Sequence, residues 1–183
     1  MHKFFLIIFV LISFYSCKHT ISHEETLKYY VTIQLQIKDV TSLVKAFSPE
    51  LSKFIKNDSA DDKNNKAEDF RTFKKSFYDL ITEIDKRQIV LNDLKPLGDD
   101  HLMIFFARTV MNDTRNVLLD ISSFISAERM ASLSSKGIMI KKFGIRSKYD
   151  LLMLNTKYFL KWSEKYKLEH HITQSELSKY ALL

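Results

Sequence analysis

The sequence predicts an all-α protein: an antiparallel four-helix bundle with a short C-terminal helix. Three observations predict it. Large apolar residues recur at alternating spacings of three and four along four separate stretches, as on helices packed along one stripe. Three Gly and two Pro in 183 residues leave little material for the hairpin turns of a β fold. Boxes of the form Ser/Thr-x-x-Glu stand before the first and the last stretch, where each would cap a helix start. No segment repeats at a fixed period, so a solenoid is not expected. The length suits one domain with a real core.

A leader precedes the helices. Lys3 supplies a positive charge, Phe4 to Ile12 form a short apolar core, and the small Ser16 stands just before Cys17. The apolar core falls short of the ~20 residues that span a bilayer. Cleavage after Ser16 makes residues 1–16 a signal peptide and Cys17 the new N-terminus. Cys17 is the one cysteine of the chain, so it has no intramolecular disulfide partner. A lone cysteine at this place resembles the lipid acceptor of a bacterial lipoprotein lipobox. The resemblance covers the leader alone, and Phe14 stands where the usual box has Leu. It implies acyl chains such as palmitate on Cys17. It also implies a place in the cell envelope at the outer membrane, on the periplasmic face or at the cell surface. Two or more chains anchor firmly. In leader and overall shape the chain is similar to small helical lipoproteins of spirochaetes and Bacteroidetes. A secretory leader cut elsewhere, or an uncleaved anchor, is the alternative.

Residues 17–21 are then a lipidated tether and 22–183 a single helical domain. Four residues, Lys18 to Ile21, reach about 14 Å when extended, so the domain rides close to the membrane. Ser22 and Glu25 form the first capping box. The first helix, near 22–56, carries a seam of Tyr30, Ile33, Ile37, Val40, Val44, Phe47, Leu51 and Phe54. Pro49 predicts a kink near Ala46–Ser48, or a break recapped by Ser48. Asn57 to Lys66 holds no large apolar residue and reads as an exposed loop. Its Asp58, Asp61 and Asp62 lack the glycine and terminal glutamate of a calcium loop.

The second helix, near 67–95, has Phe70, Phe73, Phe77, Leu80, Ile84, Leu91 and Leu94 on its seam, interrupted at Arg87 and Gln88. Pro96-Leu97-Gly98 stops it, and Asp99 or Asp100 caps the next. The third, near 100–134, has Phe106, Val110, Val117, Ile121 and Phe124, interrupted at Asp113 and Thr114. Ile138 to Phe143, between two glycines, reads as an apolar loop. The fourth helix is expected near 148–168, opened by Ser147 and Asp150, with Leu151, Leu154, Tyr158, Trp162 and Tyr166 inward. Thr173 and Glu176 box a last helix from 174. Among the adjacent aromatic pairs Tyr29-Tyr30, Phe77-Tyr78 and Tyr158-Phe159, one member is expected to face outward, since neighbours diverge by about 100°.

Catalytic chemistry finds little foothold. A cysteine nucleophile is excluded if Cys17 is acylated, and a serine nucleophile lacks its glycine-rich elbow. No histidine pair has metal-ligand spacing, and adjacent His170 and His171 point in different directions on a helix. No metal or cofactor is expected. The seam interruptions are the remaining candidates: Gln36, Arg87, Arg108 and Asp113 are placed as a polar core layer. Such a layer sets bundle register, or opens a small ligand pocket. Pairing of the helices about their loops puts Arg87 level with Gln36 and near Arg108. The charge of +6, with 28 basic and 22 acidic residues, reads as a solvated surface of interspersed signs. No nucleic-acid partner is expected. The reading is a non-enzymatic binding or structural module at the membrane, engaging another envelope or host protein. The alternatives are a lipid carrier with an apolar pocket at Phe106, Val110 and Trp162, or an enzyme whose site has no motif.

Overall fold

A computed structural model of the chain describes residues 21–56, 63–98, 101–129, 134–180 and 182. The expected leader with Cys17, positions 57–62 of the expected loop and the expected Asp99 or Asp100 cap lie outside the described residues. Four long helices, α1 (His23–Lys56), α2 (Lys63–Asp93), α3 (Leu102–Arg129) and α4 (Ser135–Glu169), precede a short α5 (Gln174–Ser178). They pack as an antiparallel bundle in which α1 and α3 each touch the other three long helices.

Both capping boxes form. The Ser22 hydroxyl accepts from the Glu25 amide at 3.2 Å, and the Ser22 amide donates to the Glu25 carboxylate at 2.8 Å. Thr173 and Glu176 repeat the arrangement at α5. The two helix starts then meet, with His23 Nε2 2.7 Å from Glu176 Oε1. The Thr173 amide, then His23 and the Thr173 hydroxyl, hold the Glu176 carboxyl at about 2, below its ordinary 4.5. A depressed carboxyl stabilises the fold above the ordinary carboxylate range and loses that contribution as pH falls toward 2. Urea midpoints are therefore expected to fall between pH 5 and pH 2.5 by more in the native chain than in Glu176→Gln. Identical pH profiles would show that the contact carries no stability.

The α1 seam is inward as expected, with Tyr30, Ile33, Val40 and Phe47 buried. The helix runs through Pro49 to Lys56 without the recapped break. An interior proline costs about 3 kcal/mol. Beyond the proline Leu51 still packs on the core, while before it Phe47 lies 5.7 Å from Phe73 and 5.9 Å from Phe77. Burial of a leucine offsets up to about 1.5–3 kcal/mol of that cost. The α2 helix begins at Lys63, before the expected Ala67, because nothing in Lys63 to Lys66 breaks a helix.

The fourth helix departs furthest from expectation. It begins at Ser135, and the stretch Ile138 to Phe143 is helical rather than a loop. Ser134 caps it, its hydroxyl accepting from the Gly137 amide at 3.2 Å. Each interior glycine costs about 0.5–1 kcal/mol, too little to stop a capped helix whose Ile138 and Ile145 both pack on the core. The inner face is also displaced. Phe159 is 1 % exposed and Ser163 and Tyr166 are buried, whereas Leu151, Leu154 and Tyr158 are exposed. Ile138, Ile145, Leu152, Phe159 and Tyr166, one heptad apart, form the packed stripe. In the aromatic pairs, Tyr78 and Tyr158 face outward, but Tyr29 and Tyr30 are both buried.

The described polar and ring contacts between α1 and α4 all fall near one end, which we call the base. Ser163 donates to the Tyr30 hydroxyl at 3.2 Å and receives the Gln34 amide. Tyr166 lies 5.7 Å from Tyr29 and 6.1 Å from Tyr30. Burial pushes the Tyr30 hydroxyl above its ordinary range, with the Ser163 bond acting against it. Toward its start, α4 is held by α3: Asn155 donates to Asp113 at 2.7 Å and Lys148 pairs with Asp120.

Candidate functional site

Of the four residues placed in a polar layer, Arg87, Arg108 and Asp113 find separate partners instead of one another. Arg108 caps the end of α2. Its guanidinium donates to the carbonyls of Leu91 at 2.9 Å, Asn92 at 3.1 Å and Leu94 at 2.7 Å. These are last-turn carbonyls that lack helical donors, because Pro96 ends the helix there. Arg115 meets Asp85 at 2.6 Å, so the α2–α3 hairpin turns slightly beyond Leu97. That displacement takes Arg108 away from Arg87. Gly98 makes the turn with φ of +64°, a left-handed conformation that suits glycine, and a side chain there would meet Ile21 at 3.0 Å.

Asp113 is half-buried against Asn155, across the α3–α4 interface. Gln36 is half-buried, and its side-chain oxygen has no hydrogen-bond partner. Arg87 reaches Asp39 at 3.5 Å with its side chain 36 % exposed, close to its expected level beside Gln36. Its Nε is buried without a partner. Exposed ion pairs are worth about 0–1 kcal/mol, and an unsatisfied buried donor costs about 1–3 kcal/mol. Arg87→Met is therefore expected to leave stability unchanged or to raise it. A loss above ~2 kcal/mol in a thermal melt would mean that Arg87 anchors the bundle.

Trp162 lines a cleft of about 480 Å³ at the base together with Ile21, Leu97, Leu102, Lys165 and Glu169. Phe106 and Val110 do not line it. Phe106 instead stacks on Tyr158 at 5.3 Å, and Val110 is buried in the core. Among the described residues no group of His, Cys, Asp and Glu is placed to hold a metal ion. The His170 ring rests on Tyr166 at 4.2 Å. No helix among the described residues is long and apolar enough to cross a membrane.

The surface feature that stands out is the outer face of α4. Ile140, Phe143, Ser147, Leu151, Leu154 and Tyr158 recur at helical spacing along it, and all are exposed, Phe143 by 75 %. Met139 adds to the stripe at 70 % exposure. The same helix carries nine Lys and Arg against Asp150, Glu164 and Glu169. That excess of six equals the +6 of the entire chain, so the remainder is neutral on balance. The net excess of basic charge thus falls on one helix, while the two signs balance over the rest of the chain. Sequence reasoning took three stripe residues as inner face and overlooked the charge on this helix. Counting charge helix by helix carries the signal.

A scan against protein-family models finds no match, and searches of the curated proteins and of the solved structures find none either.

Proposed function

We propose that this protein is a lipid-anchored, non-enzymatic binding module of the cell envelope. Its binding surface is the outer face of α4. The exposed stripe of apolar residues carries this reading, because such area is costly to leave in water unless a partner covers it. The concentration of Lys and Arg on the same helix selects an acidic partner. The leader, with Cys17 after its apolar core, supports the anchor.

One cellular experiment tests both parts. Labelled palmitate is expected in the native protein and absent from Cys17→Ala, which leaves the detergent phase on phase separation. A photo-crosslinking residue at Leu154 is expected to give adducts in cells, and one at Lys75 on α2 is not. Equal palmitate in both proteins would defeat the anchor. Equal adducts at the two positions, or no adducts to either protein or lipid, would defeat the face.

A further inference from the structure

We infer that the partner of α4's outer face is an anionic phospholipid surface, on which the bundle lies along α4 rather than standing on its tether. This rests on the reading of that face as the binding surface and names what it binds.

The place where the tether leaves the bundle comes first. Ile21 sits in the basal cleft with Trp162, Lys165 and Glu169. These three continue the spacing of Leu151, Leu154 and Tyr158, so they belong to the same side of α4. The chain therefore enters the domain beside the end of the exposed stripe. With Cys17 only four residues before Ile21, an acyl anchor brings the bilayer to that side within about 14 Å. The helix extends from there for about 50 Å.

Charge and shape then choose the partner. A second copy docked face to face would set the excess positive charge of α4 against itself. A peptide helix wants a groove with two walls, whereas α4 toward its start has only α3 beside it in the described contacts. A lipid surface needs no walls. Phe143, Leu154 and Tyr158 supply apolar and aromatic groups of the size that enters the headgroup boundary, with Lys157 and Lys161 exposed among them. Lysine stems reach from such a boundary to the phosphates. Lys161 and Lys165 lie 6.0 and 4.6 Å from the Trp162 ring, which places the indole beside the cationic row. Asp150, Glu164 and Glu169 are the opposing carboxylates on α4, outnumbered three to one.

The test uses the full chain with Cys17→Ser, which leaves no native thiol. A fluorophore sensitive to polarity is attached at Ser147→Cys on the stripe or at Lys75→Cys on α2. Vesicles are phosphatidylglycerol with phosphatidylethanolamine, or phosphatidylcholine alone. On anionic vesicles the Ser147 label is expected to brighten and shift to the blue, the Lys75 label is not, and phosphatidylcholine gives little response at either. One lysine near an anionic surface is worth about fivefold in partition, so Lys157→Gln with Lys161→Gln should weaken the response about 25-fold. Equal responses at the two labels, equal responses on the two lipids, or no loss in the double variant would each overturn the inference. Insertion through the leader alone leaves both labels in water and overturns it as well. Protein adducts at Leu154 in cells without a vesicle response would remove the lipid and keep the face. Silence in both experiments would remove both.

Discussion

Phe159→Ala is expected to lower the unfolding free energy by about 3–5 kcal/mol, while Leu154→Ala changes it by less than ~1 kcal/mol. Phe159 is 1 % exposed among the α4 residues facing the core, and Leu154 is 47 % exposed. Removing the ring opens a cavity that the surrounding helices close only in part, whereas truncating an exposed leucine removes area already in water. For a domain of this size each kcal/mol moves the melting temperature by about 2–4 °C. The phenylalanine variant should therefore melt at least about 6 °C lower, with the leucine variant near the native value. The comparison decides which of two apolar stripes on α4 faces the core. The reverse order would restore Leu151, Leu154 and Tyr158 to the inside and remove the candidate binding face with them.

Arg108→Met is expected to cost about 3 kcal/mol. Methionine keeps much of the apolar stem and loses every donor. Three carbonyls at the end of α2 then lose the guanidinium that satisfies them. A hydrogen bond to a charged group contributes about 1.5–3 kcal/mol, and three bonds from one group are not additive, which sets the estimate near the upper end of one bond. Arg108→Lys should recover a minor part, since an ammonium is a compact donor and cannot span three carbonyls as a planar fork does. Melts of Arg108→Met matching the native protein would show that water serves those carbonyls equally well. Hydrogen exchange localised to residues 88–94 would tie any loss to the end of α2.

Much of the fold was legible because its signals are local. Ser22 with Glu25, and Thr173 with Glu176, are capping boxes by spacing alone, and both form. The seams of α1 and α2 are inward because each of those helices has one dominant apolar stripe. Arg87 was placed near the level of Gln36 because a short loop between antiparallel helices sets their register. Arg108 was misplaced because the α2–α3 hairpin turns a few residues later than Leu97, and a displacement of that size moves a side chain by a full helical turn. Nothing local to Arg108 marks it as a cap for carbonyls more than a dozen residues earlier.

The sequence by itself determined four long amphipathic helices, their order, and the starts of the first and the last. It also carries the single cysteine after a short apolar core. Those properties depend on periodicity, on side chains within one turn of each other, and on composition. Only the tertiary structure decided which stripe of α4 is buried. The helix has two, Ile138 to Tyr166 at heptad spacing and Ile140 to Tyr158 beside it, and periodicity weighs them alike. The choice rests on surfaces presented by other helices: Tyr29, Tyr30 and Gln34 of α1 receive Ser163 and Tyr166, and Asp113 of α3 receives Asn155. The heptad stripe is buried because those helices supply rings beside Tyr166 and hydrogen bonds for Ser163 and Asn155. The other stripe is left outside among the lysines.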